Sequence, residues 1–255
     1  MLDFAATLVR EAGAILLRYY DRTLKVQTKS SEVDLVTEAD LASEEFIKER
    51  IRAAYPDHGI LAEESGGEQT EGDYVWIVDP LDGTNNFSHG FPIFCVTVAL
   101  QYEQALMLGL TYDPLRDELF CAEQNRGATL NGRTLRVSGT PRLVESLVAT
   151  GFPYKKATIA DNNLAEFSRV APKVQGIRRA GSAALDLAYV AAGRLDGYWE
   201  AHLSPWDWAA GLVLVQEAGG KVTDRGGQPW GMQSKAMVAT NGLIHEELLR
   251  VVSGR

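Results

Sequence analysis

Apolar residues recur at helical spacing near the amino terminus. Over residues 3–20 this spacing predicts an amphipathic helix. Its apolar positions are Phe4, Leu8, Ala12, Ile15, Leu16 and Tyr19. The stretch from Lys25 to Val36 is polar, and Lys29-Ser30-Ser31-Glu32 within it predicts an exposed loop. A second helix is predicted from Thr37 to Ala54, where Thr37 is a suitable N-cap and Asp40 stands at N3 of a capping-box variant.

Short apolar runs then predict strands. Gly59 to Ala62 is one such run, and the run from Tyr74 to Val78 is aromatic and β-branched, as expected for a buried strand. Three further strands are predicted at Phe94–Leu100, Ala105–Tyr112 and Leu119–Ala122. Asn131-Gly132 is a strong turn signal. The first half of the chain therefore predicts a helix pair packed on an antiparallel sheet.

Strands and helices alternate in the second half. Predicted strands cover Leu147–Thr150, Gly176 into the turn at Gly181-Ser182, and Leu195–Glu200; predicted helices cover Ala184–Ala192, ended by Gly193, and the segment from Pro205 to Gly219. Ser204, Pro205 and Asp207 suit the N-cap, N1 and N3 positions of the last helix. We predict an α/β (α+β) fold, an αβαβα layered sandwich with halves at 1–140 and 141–255.

The amino-acid composition and net charge exclude several classes of protein. The chain has 255 residues, 45% hydrophobic and 23% charged, which is typical of a globular protein. Its net charge of −9 argues against nucleic acid as the main ligand. Cys95 and Cys121 are the only cysteines, so a disulfide-rich scaffold is excluded. Because Arg10 and Glu11 interrupt the first apolar run, we expect neither a signal peptide nor a membrane span, and a cytoplasmic location.

The predicted strand at Tyr74 ends in Asp79-Pro80-Leu81-Asp82-Gly83-Thr84. Pro80 restricts the backbone between the two carboxylates, and oxygen ligands on a stiff loop suit Mg²⁺. Gly83 allows backbone to approach a ligand closely, and Thr84 adds a hydroxyl group. An Asp-Gly pair is also common in ordinary turns. The residues by themselves therefore leave a metal site and a turn as alternatives.

The string from Asp79 to Phe87 resembles the Asp-Pro-x-Asp-Gly-Thr-x-Asn-Phe signature of the inositol monophosphatase family. A second match, Trp206-Asp207-Trp208-Ala209-Ala210-Gly211, lies more than 120 residues further on, and the resemblance covers roughly residues 3 to 245. The family places Gly-Glu-Glu where this chain has Ala62-Glu63-Glu64. Ala62 is thus a departure, which leaves the assignment of Glu63 unchanged.

The resemblance implies a set of site residues. It assigns metal binding to Glu63, Asp79, Asp82, Asp207 and the carbonyl of Leu81. It places Asp40 behind the catalytic Thr84, with Glu63 near the attacking water. Substrate contacts fall on Asp82, Gly83, Thr84, Gly181, Ser182, Ala183 and Glu200. Lys29 becomes a candidate in a loop that closes over the metals.

Local explanations compete with some of these assignments. An acid at N3 stabilises a helix start, so capping alone accounts for Asp207. A Glu63-Glu64 pair is commonly solvated, and Glu200 could lie on the surface at a strand end. Four acids gathered without cations would repel one another and a phosphate. About two or three Mg²⁺ ions, or Mn²⁺, are therefore expected if the acids converge.

The resulting hypothesis is a Mg²⁺-dependent phosphatase that hydrolyses myo-inositol 1-phosphate by direct attack of water. Fructose-1,6-bisphosphate, a nucleotide bisphosphate and histidinol phosphate remain alternative substrates. A haloacid-dehalogenase-type phosphatase is disfavoured, because Pro80 stands where its nucleophile would be. A regulatory protein that binds partners through the same scaffold is an alternative of another class. The resemblance also implies a homodimer and inhibition by lithium.

Overall fold

The computed structural model describes residues 1–20, 22, 26–28, 35–68, 72–231 and 233–255. Its helices are α1 (Leu2–Tyr19), α2 (Glu38–Ala54), α3 (Thr84–Ser88), α4 (Leu164–Val170), α5 (Ala183–Ala191), α6 (Pro205–Glu217) and α7 (His245–Ser253). Its strands are β1 (Val26–Thr28), β2 (Leu35–Thr37), β3 (Gly59–Ala62), β4 (Gly66–Glu68), β5 (Tyr74–Asp82), β6 (Cys95–Tyr102), β7 (Ala105–Asp113), β8 (Glu118–Glu123), β9 (Gly127–Leu130), β10 (Arg133–Thr134), β11 (Leu147–Thr150), β12 (Gly176–Arg178), β13 (Gly197–Ala201), β14 (Lys221–Asp224) and β15 (Ala236–Thr240). Lys29, predicted to lie in a loop over the site, falls outside the described residues.

Both predicted amino-terminal helices are present. The capping box of α2 forms as predicted, because the amide of Thr37 donates to Asp40 Oδ2 at 2.8 Å and the amide of Ala39 donates to Thr37 Oγ1 at 3.1 Å. Strands β1 and β2, which were not predicted, pair antiparallel on either side of the predicted loop at 29–32, and that loop lies outside the described residues. Strands of three residues are too short to produce an alternation that a sequence window detects.

The larger sheet has the strand order β10-β9-β8-β7-β6-β5-β3-β4. Its pairs are antiparallel as predicted, except that β3 and β5 run parallel. The exception arises because β4 runs back along the outer edge of β3. The chain then enters β5 on the other side of β3, in the same direction. Local sequence patterns carry no information about this change of direction. As a result of it, β3 and β5 end at the same edge of the sheet.

Alternation along β5 divides the core into two layers. Trp76 and Val78 point into the apolar cluster with α1 and α2, whereas Ile77 points into the cluster with α5 and α6. Burial on both faces explains why β5 is aromatic and apolar without interruption from Tyr74 to Val78.

The smaller sheet has the order β12-β11-β13-β15-β14, parallel around β11 and antiparallel elsewhere. Helices α5 and α6 pack between the two sheets, so Phe120, Leu214 and Tyr198 share one apolar cluster. Helices α4 and α7 cover the outer face of the smaller sheet through Val170 and Leu248. The predicted αβαβα sandwich is confirmed. Among the described residues, no helix is both long and apolar enough to cross a membrane.

Gly109 in β7 marks the closest approach of α6 to the larger sheet. A Cβ atom at this position would lie 2.6 Å from both the Cα and the carbonyl oxygen of Ala210. We expect Gly109→Ala to lower the free energy of unfolding by about 1–3 kcal/mol, because backbone must move to admit the methyl group. Urea unfolding measures this change. Gly139→Ala is the control, since nothing lies within 4 Å of its added Cβ. Equal stability of the two variants would contradict the close contact.

Candidate active site

A cavity of about 610 Å³ opens at the carboxyl ends of β3, β5 and β13. Its lining includes each residue for which a metal-binding or substrate-binding role was predicted; Lys29 falls outside the described residues, and Asp40 stands behind the cavity. The lining residues with a predicted role are Glu63, Asp79, Leu81, Asp82, Gly83, Thr84, Gly181, Ser182, Ala183, Glu200 and Asp207. Groups up to 144 positions apart in sequence thus meet at one place. Their individual roles stay predictions.

The last residues of β5 are held by hydrogen bonds at both positions between the carboxylates of Asp79 and Asp82. The ladder with β6 shifts register between Asp79 and Asp82, where Pro80 has no amide hydrogen to donate. The amide of Leu81 donates to Asp79 Oδ1 at 3.0 Å. The hydroxyl of Ser43, a residue that sequence analysis missed, donates to the carbonyl of Pro80 at 3.0 Å. The two aspartates therefore stand on a fixed backbone.

Gly83 is required by the turn that follows. It has φ +101°, and an added Cβ would lie 2.9 Å from the carbonyl oxygen of Ile93. Thr84 then begins α3, and its Oγ1 lies 2.9 Å from Asp40 Oδ1 and 3.1 Å from the carbonyl oxygen of Leu81. Asp40 lies behind Thr84, in the arrangement that the resemblance implied.

Asp40 has no contact with solvent. Its second oxygen accepts hydrogen bonds from the amide and the hydroxyl of Thr37, at 2.8 and 2.6 Å. Burial raises its pKa to about 6, although the bonds from Thr37 and Thr84 act in the opposite direction. A carboxyl group with this pKa is mostly ionised at neutral pH, and it accepts the hydrogen bond from the Thr84 hydroxyl.

Asp82 is held by the start of α5. Its Oδ2 accepts from Ser182 Oγ at 2.7 Å and from the amide of Ala184 at 2.8 Å. The predicted substrate-wall residue Ser182 therefore uses its hydroxyl group on Asp82. Cys95 Sγ lies 3.6 Å from that hydroxyl, and burial raises the pKa of the Cys95 thiol well above its usual value. Cys95 is thus a packing residue beneath the site.

The position of Asp207 fits both alternatives, capping of α6 and a place among the acids of the cavity. Its Oδ2 accepts from the amide of Ser204 at 2.6 Å, as an N3 cap should. The same side chain lines the cavity, and its charge contributes to the raised pKa of Asp79. Capping and a place in the acidic group are therefore compatible.

The carboxylates of the cavity perturb one another. Burial raises the pKa of Asp79 well above its usual value, and the charges of Glu63, Asp82 and Asp207 add to the effect. Burial likewise raises the pKa of Asp82 to about 6. For Asp207, burial and then Asp82 and Glu63 raise the pKa well above the usual range. A cation would stabilise the charged form of all of them.

Glu200 stands on the opposite wall. Burial raises its pKa to about 7, and the hydroxyl of Tyr198 donates to its Oε2 at 2.6 Å. A side chain at Gly151 would overlap the Glu200 carboxylate. Sequence analysis missed Tyr198 and Gly151. The signal for Tyr198 was available, because residues i and i+2 of a strand share a face.

Asp186 is a further acid that sequence analysis missed. Its side chain lines the cavity, and its Oδ1 is buried without a hydrogen-bond partner in the described structure. Burial raises its pKa well above the usual value, with further contributions from Glu200 and Asp82. No local pattern distinguishes it from other polar residues in the first turn of a helix.

The donor set fits hard divalent cations. It offers buried carboxylate oxygens and one backbone carbonyl, which suit Mg²⁺ or Mn²⁺ rather than zinc. Across the part of the chain that is described, no three acidic, histidine or cysteine side chains stand close enough together to hold an ion as placed. The chemistry and burial thus agree with the predicted metals, while the coordination stays a prediction.

Comparisons with known proteins identify the family to which the chain belongs. The profile of the inositol monophosphatase family matches residues 1–254. The chain belongs to that family, which confirms the resemblance and the phosphatase class. An inositol-1-monophosphatase of Synechocystis sp. is 46% identical, over 99% of this chain and 88% of the relative. The Nus factor SuhB of Pseudomonas aeruginosa is also 46% identical, over 99% and 95%. The solved inositol monophosphatase of Anabaena (Nostoc) sp. is 45% identical with a TM-score of 0.91, over 99% and 95%.

The raised pKa values predict an unusual pH dependence of stability without metal. Asp40, Asp82 and Glu200 bind protons more tightly in the folded protein than in the unfolded chain, where values of 3.8, 3.8 and 4.5 apply. Their stabilising contribution is complete below these values and is lost as pH rises through about 6 to 7. We expect the metal-free protein to be less stable at about pH 7.5 than at about pH 5, by on the order of 1–2 kcal/mol per such group, because part of the contribution is already lost at pH 5.

Urea unfolding at the two pH values measures the difference. Asp82→Asn should reduce it, because the variant lacks one of the titrating groups, and saturating Mg²⁺ should do the same by stabilising the charged carboxylates. Stability of the metal-free protein that increases between these pH values would contradict the assignment.

Proposed function

We propose that this protein is a Mg²⁺-dependent phosphatase that hydrolyses a small phosphate monoester, myo-inositol 1-phosphate, to inositol and phosphate. The observation that carries the proposal is the convergence of Glu63, Asp79, Asp82 and Asp207 on one cavity whose opposite wall presents Glu200. The name of the Synechocystis relative supports this choice of substrate. The halves 1–140 and 141–255 form one catalytic unit in this proposal, because each supplies part of the cavity wall.

Glu63, Asp79, Asp82, Asp207 and the carbonyl of Leu81 would hold about two or three Mg²⁺ ions, with Mn²⁺ as a substitute. Bound ions of this kind lower the pKa of coordinated water and stabilise a leaving alkoxide. The carboxylates are held on rigid backbone, and burial limits competition from bulk water.

The chain itself would orient the attacking water. The Thr84 hydroxyl donates to Asp40, which leaves its oxygen lone pairs available to accept a hydrogen bond from water. As the water attacks, its proton would pass to Thr84 Oγ1 while the proton of that hydroxyl passes to Asp40, so that Thr84 is regenerated and Asp40 becomes protonated. Glu63 lines the same side of the cavity. The amides of Gly83 and Thr84 would hold phosphate oxygens. Attack is direct, and no residue is phosphorylated.

Glu200 would select the alcohol. A carboxylate accepts hydrogen bonds from neighbouring hydroxyl groups of a polyol. The Tyr198 hydroxyl fixes one of its oxygens, so its orientation is set before substrate binds. Gly181 and Ala183 line the adjoining wall, where Gly181 has φ +88°.

Asp82→Asn tests the chemistry. We expect Mg²⁺-dependent release of phosphate from inositol 1-phosphate to fall by at least about 100-fold, because the loss of a ligand charge weakens metal binding. Asp73→Asn is the matched control: it makes the same change at an exposed position just before the same strand. Activity that survives Asp82→Asn would remove the site assignment.

Glu200→Gln tests the choice of alcohol. We expect kcat/KM for inositol 1-phosphate to fall by roughly 10- to 100-fold, the usual cost of a lost charged hydrogen bond. Hydrolysis of p-nitrophenyl phosphate, which has no neighbouring hydroxyl groups, should change little. Equal losses for the two substrates would show that Glu200 has no part in selecting the alcohol. Fructose-1,6-bisphosphate, nucleotide bisphosphates and histidinol phosphate, assayed at the same Mg²⁺ concentration, complete the comparison.

A second function is a regulatory one that depends on protein binding. It is favoured by the relative named as a Nus factor in Pseudomonas aeruginosa. Binding of the purified host transcription complex, measured for the wild type and for inactive Asp82→Asn, separates the two functions. Binding that persists in the inactive variant would support a second role.

The resemblance carries three further proposals. These are a homodimer, inhibition by lithium in competition with Mg²⁺, and a cytoplasmic location. Neither a nucleic acid nor a membrane is needed as a partner for the reaction proposed above.

A further inference from the structure

One face of α2 contacts two separate segments of the candidate site through three side chains. Asp40, Ser43 and Glu44 stand at i, i+3 and i+4, so their side chains leave the helix on the same side. Asp40 contacts Thr84 and Ser43 contacts the carbonyl of Pro80. The first two contacts thus position the segment that carries Asp79 and Asp82. The third residue, Glu44, contacts a different segment.

Glu44 holds the turn that carries Glu63. Its Oε2 accepts from the amide of Glu64 at 2.9 Å, and its Oε1 accepts from the amide of Ser65 at 3.0 Å. Both amides belong to the three-residue turn between β3 and β4, in which Ala62 pairs with Gly66. Glu63 is the first residue of this turn. Its backbone is therefore fixed from the far side by a carboxylate that does not line the cavity.

Lys48, one turn further along α2, completes the arrangement. Its Nζ donates to Ser65 Oγ at 2.8 Å and lies 4.0 Å from Glu44 Oε1. Glu44 and Lys48 are only 4% and 6% exposed. A buried ion pair is seldom a source of net stability, because desolvation offsets the attraction. The pair is better explained by what it positions.

We propose that Glu44, supported by Lys48, is a positioning residue that sets the place of Glu63 relative to the Asp79 and Asp82 segment. The inference rests on the proposed metal-binding role of Glu63. Because one helix holds both segments, the backbone of Glu63 is placed relative to that of Asp79 and Asp82 by contacts outside the cavity. Glu44 acts through hydrogen bonds to backbone and does not contact substrate.

The test is the affinity of the full-length protein for Mn²⁺, measured by electron paramagnetic resonance of the free ion. Glu44→Gln loses one of two acceptors and the counter-charge of Lys48. We expect its dissociation constant for Mn²⁺ to rise by about tenfold or more, as for other residues that orient metal ligands. Glu45→Gln makes the same change on the exposed face of α2, where the side chain is 62% exposed, and should bind within about twofold of wild type.

A milder variant keeps the test decisive if Glu44→Gln does not fold. Ser65 lies in an exposed turn, and Ser65→Ala removes only the hydroxyl that Lys48 holds. Loss of one hydrogen bond should raise the dissociation constant for Mn²⁺ by about two- to tenfold. Unchanged affinity in a folded Glu44→Gln, or in Ser65→Ala where that variant alone folds, would overturn the inference. A wild-type protein that binds no Mn²⁺ would instead overturn the proposed metal-dependent function.

Discussion

Mutual repulsion among buried carboxylates is the constraint on which this structure depends. Asp79, Asp82 and Asp207 are each shifted toward their protonated forms by burial and by one another. Such a group is costly for a folded protein unless backbone and side-chain donors hold it in place. The hydrogen bonds around the site serve this purpose. Leu81, Ser182, Ala184 and Ser204 each donate to one of these acids.

The layered fold supplies these donors from different directions. The parallel pair β3 and β5 brings Glu63 and Asp79 to one edge of the larger sheet. Helix α2 lies behind that edge. Helices α5 and α6 start at the cavity from the middle layer: the amide of Ala184 in α5 donates to Asp82, and α6 carries Asp207, which accepts from the amide of the N-cap Ser204. The smaller sheet then contributes Glu200 from β13. The acids on the larger sheet, which are expected to bind metal, and Glu200, which is expected to bind a polyol, therefore belong to different layers.

Much of this arrangement could be predicted from sequence, for identifiable reasons. The signature around Asp79 and the match around Asp207 are each continuous in sequence, so a resemblance could assign them. Helices with strong caps, such as α2 with Thr37 and Asp40, were also predicted with nearly correct ends. The parallel pairing of β3 with β5 could not be predicted, since it depends on where the chain returns and not on the residues paired.

Three residues that were not predicted share one property: each holds backbone or another side chain of the site. Glu44 holds amides, Ser43 holds a carbonyl, and Tyr198 holds Glu200. Helical spacing puts Ser43 and Glu44 on the same face as Asp40, and strand spacing puts Tyr198 on the same face as Glu200. Spacing alone does not show which residues these faces contact. Only a tertiary structure supplies the partner.

The residues expected to carry the chemistry and the residue expected to select the alcohol are held by different contacts. The segments with Glu63, Asp79 and Thr84 are tied to α2, so a change in any one of them would disturb the others through the same helix. Glu200 is fixed mainly by Tyr198 within its own strand and by the absence of a side chain at Gly151. Substitutions on the β13 wall can therefore alter the alcohol that is accepted without moving the carboxylates. A phosphatase built in this way can keep its chemistry and change its substrate, because the two depend on separate contacts.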